Sequence, residues 1–212
     1  MAILSSLRNS VMPISRAVNR ARYPILFTAI LYFLSVFIGI IMVHAGNKFA
    51  LDYRDGLVNQ SLRSNPASIA YLQGNKFQAA LWDFAENLAL GAFPKTVSGF
   101  AILLPYPMVI QQGWVGGIVS VRNDHTSRLS DLYSAIYYLL TLFLQLVPYS
   151  LAVGAGVNVG IAVFRTPPYY EGRKWLGIFS VEALRDVRRI YLVVIPLFLI
   201  ASLWEFLSSW NI

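Results

Sequence analysis

Apolar and polar positions along the chain divide it into five long apolar runs separated by polar connectors. The longest run, Leu129 to Phe164, holds no Lys, Arg or Glu, and its single acid, Asp131, stands near the start. A membrane-crossing helix needs roughly 20 apolar residues, each rising 1.5 Å. This run therefore suffices for one kinked or steeply tilted helix, and nearly for two short ones. Pro148 removes a backbone donor and crowds the preceding turn, which predicts a kink over Leu144 to Pro148. Gly154, Gly156 and Gly160 follow it; small residues let helix backbones approach closely in lipid.

The other runs fall on either side. Pro24 to Val43 reads as the first span. Residues 45–76 are mixed and polar, with a turn at Asn65-Pro66, and read as a connector with short interfacial helices. Phe77 to Phe93 is a weaker apolar segment, and the stretch Phe93-Pro94-Lys95-Thr96 is expected to end its helix. Val97 to Val121 carries Pro105 and Pro107, then Gly113, Gly116 and Gly117, and is expected to be bent or partly unwound, which membrane depth tolerates only against protein or a wet cavity. After the loop 122–130 and the long run comes the connector 165–189, the most basic of the chain, in which Ser180 marks a helix start. The last run is 190–210, with Pro196 inside it. If Phe77 to Phe93 lies on the surface instead of spanning, the long run must make two short passes.

The fold class that results is all-α: a polytopic membrane bundle of about five transmembrane helices, some kinked by Pro, with spans near 24–43, 77–93, 97–121, 131–164 and 190–210 and a single transmembrane domain over 23–212. Composition agrees. The 212 residues are 57% hydrophobic and 13% charged, whereas soluble domains carry about 25% charged residues. No stretch is left for a separate soluble catalytic domain.

Charge then orients the bundle. Residues 1–22 hold Arg8, Arg16, Arg20 and Arg22 and no acid, with Leu4, Leu7, Val11, Ile14 and Val18 at roughly helical spacing. The segment reads either as a basic amphipathic helix for an anionic inner leaflet or as a plain topology-setting flank. Both readings place the N-terminus in the cytoplasm, and with it the connector 165–189. The formal charge of +7 is read as cytoplasmic loops and lipid contact, with no nucleic-acid partner. The chain has no cysteine and two histidines, His44 and His125, at segment ends. This spacing suits neither zinc nor haem, and no metal or cofactor is expected. The tryptophans, Trp175 among them, fall mostly near span ends, as interfacial anchors do.

Candidate chemistry lies in the polar residues inside apolar runs. Asp83, Glu86 and Asn87 stand at i, i+3 and i+4 and share a helix face. They read as a polar or ion-holding pocket, or as partners of Lys76 or Lys95. Gln111, Gln112, Gln145 and Glu205 complete the set. Each is costly in hydrocarbon unless hydrogen-bonded, so Glu205 is expected to meet Gln145, Gln111 or Gln112, either as a structural node or as a relay. The prolines and glycines (Pro105, Pro107, Gly113, Gly116, Gly117, Pro148, Gly154, Gly156, Gly160, Pro196) read as packing and kinking devices. No arrangement of acids, Ser/His pairs or His-Glu-x-x-His fits intramembrane catalysis, and the chain is read as non-enzymatic.

The segment from Asn87 through Gln112-Gly113, Gly116-Gly117, Gln145-Leu-Val-Pro148, Gly154-Ala-Gly-Val-Asn-Val-Gly160 and Ile195-Pro-Leu-Phe-Leu-Ile-Ala-Ser-Leu-Trp-Glu205-Phe206 resembles the SpoIIM family of five-span membrane proteins, over roughly residues 77–210. The family commonly has Pro-His-Gly ahead of a central Glu; here Leu140-Thr141-Leu142 and Gln145 stand in those places. The resemblance implies a non-enzymatic scaffold or accessory subunit of a bacterial inner-membrane complex, associating with other membrane subunits or with itself. The competing expectation is a small transporter, channel or exporter permease using the intramembrane carboxylates.

Overall fold

A computed structural model describes residues 12–208. Arg8, Leu4, Leu7 and Val11 of the N-terminal segment, and Trp210 at the end of the last run, lie outside the described residues. Among the described residues the fold is helical apart from one two-stranded hairpin, and three of their helices are long and apolar enough to cross a membrane: Arg22–His44, Leu132–Phe164 and Val181–Leu207.

Residues 12–20 are helical and meet α1 (Arg22–His44) at a turn on Ala21. Pro24 explains the break, since it has no N–H to give Arg20 O and its ring crowds that carbonyl. Gly46, at φ 71°, then reverses the chain, and the Asn47 side chain accepts from Ala50 N at 3.1 Å to cap α2 (Lys48–Ser64). Asn65 likewise caps α3 (Pro66–Leu72), accepting from Ser68 N at 2.9 Å, with Pro66 at the first helical position. The connector 45–76 is thus two short capped helices.

The next two runs differ from the sequence expectation. Pro94 does not end a helix. α4 (Lys76–Glu86) passes through a π-helical turn, Asn87–Ala92, into α5 (Phe93–Ser98) and a 3-10 turn, Gly99–Ala101. Pro94 sits directly after the π-turn, and the rod continues through it. The break comes at 102–104, where Ile102 takes φ 60°. The unwinding expected within 97–121 thus falls at 102–104, and Pro105 and Pro107 stand in the first turn of α6 (Pro105–Ile118) that follows. The long run is one helix, α7 (Leu132–Phe164), capped by Asp131 and continuous through Pro148; it spans about 50 Å. The connector 165–180 holds a hairpin of β1 (Lys174–Trp175) and β2 (Phe179–Ser180), with Lys174 opposite Ser180 and Trp175 opposite Phe179. α8 (Val181–Leu207) starts at the Ser180 cap and already includes the short amphipathic stretch ahead of the last apolar run.

Contacts between helices fix their directions. Gly113 of α6 faces Tyr32 and Ser35, and Gly117 faces Val36 and Gly39, so α6 runs parallel to α1. Gly154 of α7 abuts Ile25, while Leu142 lies with Tyr32 and Val36 around Gly116, so α7 runs antiparallel to α1. Gly91 meets Tyr149, Gly99 meets Val157, and Gly160 meets Phe100, so the α4–α5 rod runs parallel to α7. Tyr149 against Phe198 and Gln145 against Glu205 set α8 antiparallel to α7. Among the described residues, α1, the α4–α5 rod, α6, α7 and α8 therefore run back and forth between two ends. One end gathers the N-terminal segment and 165–180; the other gathers 45–75, 119–131 and the end of α8. The centre of α7 is the core: residues 148–160 are all buried, and a Cβ on Gly99 or Gly160 would come within 3 Å of a facing backbone atom.

Candidate functional site

Asp83 on α4 and Asn87, one turn later at the start of the π-turn, face the bundle together. Asn87 Nδ2 donates to Asp83 Oδ2 at 2.9 Å, and Ser202 Oγ of α8 donates to the same oxygen at 2.6 Å. Tyr149 of α7 donates its hydroxyl to Asn87 Oδ1 at 2.7 Å; Gln112 of α6 is half-buried. Glu86 faces elsewhere: its Oε2 accepts from Asn65 Nδ2 at 2.6 Å, so the three residues do not form one pocket. Neither predicted lysine partner is used. Lys76 lies over the Tyr71 ring, and Lys95 reaches Gly91 O at 3.3 Å and sits 4.8 Å from the centre of the Tyr149 ring. Among the described residues Asp83 has no ion pair. Its charge is met by neutral donors from two helices.

The π-turn that begins at Asn87 makes this contact possible. Its extra residue shifts the register so that Gly91 presents bare backbone where the Tyr149 hydroxyl passes. Such turns often occur at functional positions.

Glu205 lies beyond Ser202, nearer the far end. Its Oε2 accepts from Gln145 Nε2 at 2.8 Å, and its backbone carbonyl accepts from the Tyr137 hydroxyl at 2.7 Å. Trp204 Nε1 donates to Thr141 Oγ1 at 3.1 Å. Glu205 also lines a cavity of about 290 Å³ with Val119, Arg128, Tyr137, Tyr138, Thr141 and Phe206. Burial lowers the affinity of the Arg128 guanidinium for its proton, and its Nε has no hydrogen-bond partner. Gln111 is exposed on the other face of α6 and takes no part.

Tyr149 and Ser202 belong to this row with no signal of it in the sequence, and Lys95, a candidate partner of the acids, joins it through Gly91 O and the Tyr149 ring instead. Lys95 was assigned to a loop because Pro94 was expected to end the helix. Continued as a helix, Asp83, Asn87, Gly91 and Lys95 recur every four residues on one stripe, and that spacing is the signal that was available.

A second polar cluster, also unforeseen, closes the opposite end. Asp186, 1% exposed, receives Arg20 through both carboxylate oxygens (Nε to Oδ2 2.7 Å, Nη2 to Oδ1 2.6 Å), Arg189 at 2.8 Å and the Tyr170 hydroxyl at 2.9 Å. Asn158 of the core helix donates to Tyr170 at 2.6 Å. Burial and the neighbouring Asp186 charge push the Tyr170 hydroxyl above its ordinary range. Of the four N-terminal arginines assigned to lipid, Arg20 is thus turned into the protein, while Arg16 and Arg22 are exposed.

Among the described residues no three His, Asp or Glu side chains converge as metal ligands would. No family model matches the chain, and neither a curated protein nor a solved structure matches it at a significant level.

Proposed function

We propose that the chain is a non-enzymatic integral subunit of a membrane protein complex, built on a SpoIIM-like plan. All five passes would cross the bilayer, with the end that carries Arg16, Arg22, Arg173 and Lys174 on the cytoplasmic side of a bacterial inner membrane. The observation that carries this reading is the solid centre of the bundle. Residues 148–160 of α7 are buried on every side, and glycines seat their backbone directly against α1, α5 and the 3-10 turn. A rigid centre suits a structural part better than a conduit that must open. The outer helices suit partner or lipid contact, since only 28% of the most apolar window of α1 and of α8 is buried, against 78% in α7. An apolar groove of about 310 Å³ between α1 and α7, lined by Tyr32, Phe37, Leu142 and Phe143 among others, lies on that outer surface.

Tagged protein purified in mild detergent tests the reading. Stoichiometric partners that are lost on replacing Phe33 and Phe37, both exposed on α1, would support it. A lone monodisperse particle would overturn it.

The cavity that reaches Glu205 favours a second reading, a small proton-coupled transporter. Glu205→Gln and Asp83→Asn separate the two. A scaffold keeps its assembly with both, since each amide retains an acceptor oxygen; a proton-coupled transporter loses pH-dependent flux.

A further inference from the structure

We propose that the hairpin Lys174–Ser180 is an interfacial anchor that sinks Trp175, Leu176 and Ile178 into an anionic membrane leaflet. The inference rests on the membrane reading above, which places this connector at the lipid boundary. It leaves α7 at Phe164, 81% exposed, where that apolar helix ends, and enters α8 at Val181, at the start of the amphipathic stretch ahead of the last apolar run.

The tip exposes three large apolar side chains within four residues: Trp175 at 52%, Leu176 at 70% and Ile178 at 52%. In water such a cluster would be a liability. The turn that presents it is strained in a telling way. Leu176 and Gly177 both lie in the left-handed region, at φ 52° and 73°, and Ile178 N donates to Trp175 O at 3.2 Å. Two successive left-handed residues are the pattern of a type I′ turn, whose first central position favours Asn, Asp or Gly. A branched apolar residue there is costly. The strain is accounted for if the side chain has work at the tip.

The base of the hairpin, by contrast, is fixed. Ser180 is buried and donates to Tyr170 O at 2.9 Å, Val181 N donates to Arg173 O at 3.1 Å, and the Phe179 ring lies 5.2 Å from Phe100. The tip is therefore held out as a preformed wedge. Arg173 and Lys174 are exposed immediately before it, and Arg165 and the half-exposed Tyr169 stand close by in the connector. Cationic side chains beside an aromatic and two aliphatic residues match a layer of anionic headgroups over acyl chains. The same combination fits a second protein poorly, because no acidic counterpart would be needed for the tip itself.

The chain has no cysteine, so single labels are specific. Full-length protein carrying Ile178→Cys with an environment-sensitive fluorophore is reconstituted into phosphatidylcholine vesicles with and without phosphatidylglycerol. Phe33→Cys serves as the acyl-chain reference and Gln60→Cys as an exposed polar one. The expected result at position 178 is blue-shifted emission, strong quenching by acyl-chain nitroxides, and iodide quenching several-fold weaker than at position 60. The penetration should be deeper with phosphatidylglycerol, and Arg173→Gln with Lys174→Gln should remove that lipid dependence. Free quenching by iodide at 178 while 33 remains in lipid would overturn the anchor and leave the membrane reading intact. Shielding from both quenchers would show that protein covers the tip, and would also overturn it. Iodide access at 33 would break the membrane reading itself.

Discussion

Asp186 and Asp83 are both aspartates drawn into this bundle, and they are held in opposite ways. Asp186 sits at the basic end against two guanidinium groups and a tyrosine hydroxyl. Asp83 sits further along the rod against Ser202 and Asn87, with no cation paired to it among the described residues. A buried ion pair loses much if one partner is removed, because the remaining charge is stranded. A carboxyl held by neutral donors can be replaced by an amide of the same shape with little disturbance. The contrast assigns Asp186 to architecture, tying residues 12–20, the 165–180 connector and α8 together. It leaves the row from Lys95 to Glu205 as the place where a polar group is held without being locked by an opposite charge.

The comparison breaks most visibly at Asp186. Asp186→Ala should destabilise the fold by about 3–5 kcal/mol, read as a large drop in thermal midpoint in detergent, and Asp186→Asn should recover only part of it. A loss no greater than that of a surface mutant would mean that the arginines find other partners, and the architectural assignment would fail.

A smaller effect sharpens the other side. Tyr149→Phe removes the hydroxyl that reaches Asn87 and should cost about 0.5–1.5 kcal/mol, while the ring stays against Phe198 at 4.8 Å. Asp83→Asn should cost less than Asp186→Asn. If Asp83→Asn were the more damaging of the two, Asp83 would carry a charge that the fold depends on, and the neutral-donor account would be wrong.

Sequence patterning reached the long elements and stopped short of the site. Leu132–Phe164 and Arg22–His44 were legible because unbroken apolar runs bounded by charges leave few alternatives. Ser180 was legible as a cap because a short polar side chain before a helix satisfies an orphan N–H; Asn65 was legible only as a turn, although it caps α3 in the same way. Proline misled at Pro94, because its cost depends on its setting within a helix, which composition does not give. Pro105 lies in a first turn, where the absent N–H has no partner to lose, whereas Pro94 follows directly on the π-turn inside a continuous rod. Misplacing the break moved Lys95 into a loop and hid its stripe with Asp83. The Asp186 cluster was out of reach for another reason. Its partner Arg20 is 166 positions away, and nothing local distinguishes it from Arg16 or Arg22. Glu86 shows the limit of face arguments: i, i+3 spacing put it beside Asp83, yet the Asn65 amide of a neighbouring helix claimed it.

Asp55 gives the comparison its mildest case, a carboxylate of the connector 45–76 with an arginine and a histidine beside it. Arg54 Nη1 donates to its Oδ1 at 2.8 Å and His125 Nε2 lies 2.9 Å from its Oδ2, while the Asp55 side chain stays 38% exposed. Arg54 first, then His125, hold its carboxyl below the ordinary aspartate range. A depressed folded value means that the unfolded chain binds a proton more readily. The stabilisation is therefore complete above the unfolded value of about 3.9, and it is lost as pH falls through the lower folded one. Because the Asp55 carboxylate is more than a third exposed and so screened by solvent, the size should be under about 1 kcal/mol. Thermal midpoints of the wild type and Asp55→Asn should then differ slightly at neutral pH and converge in acid below about pH 3.9. A gap that persists unchanged into strong acid would show that Asp55 acts through shape and hydrogen bonding. In that case what separates it from Asp83 would be burial alone, with no part played by the cation beside it.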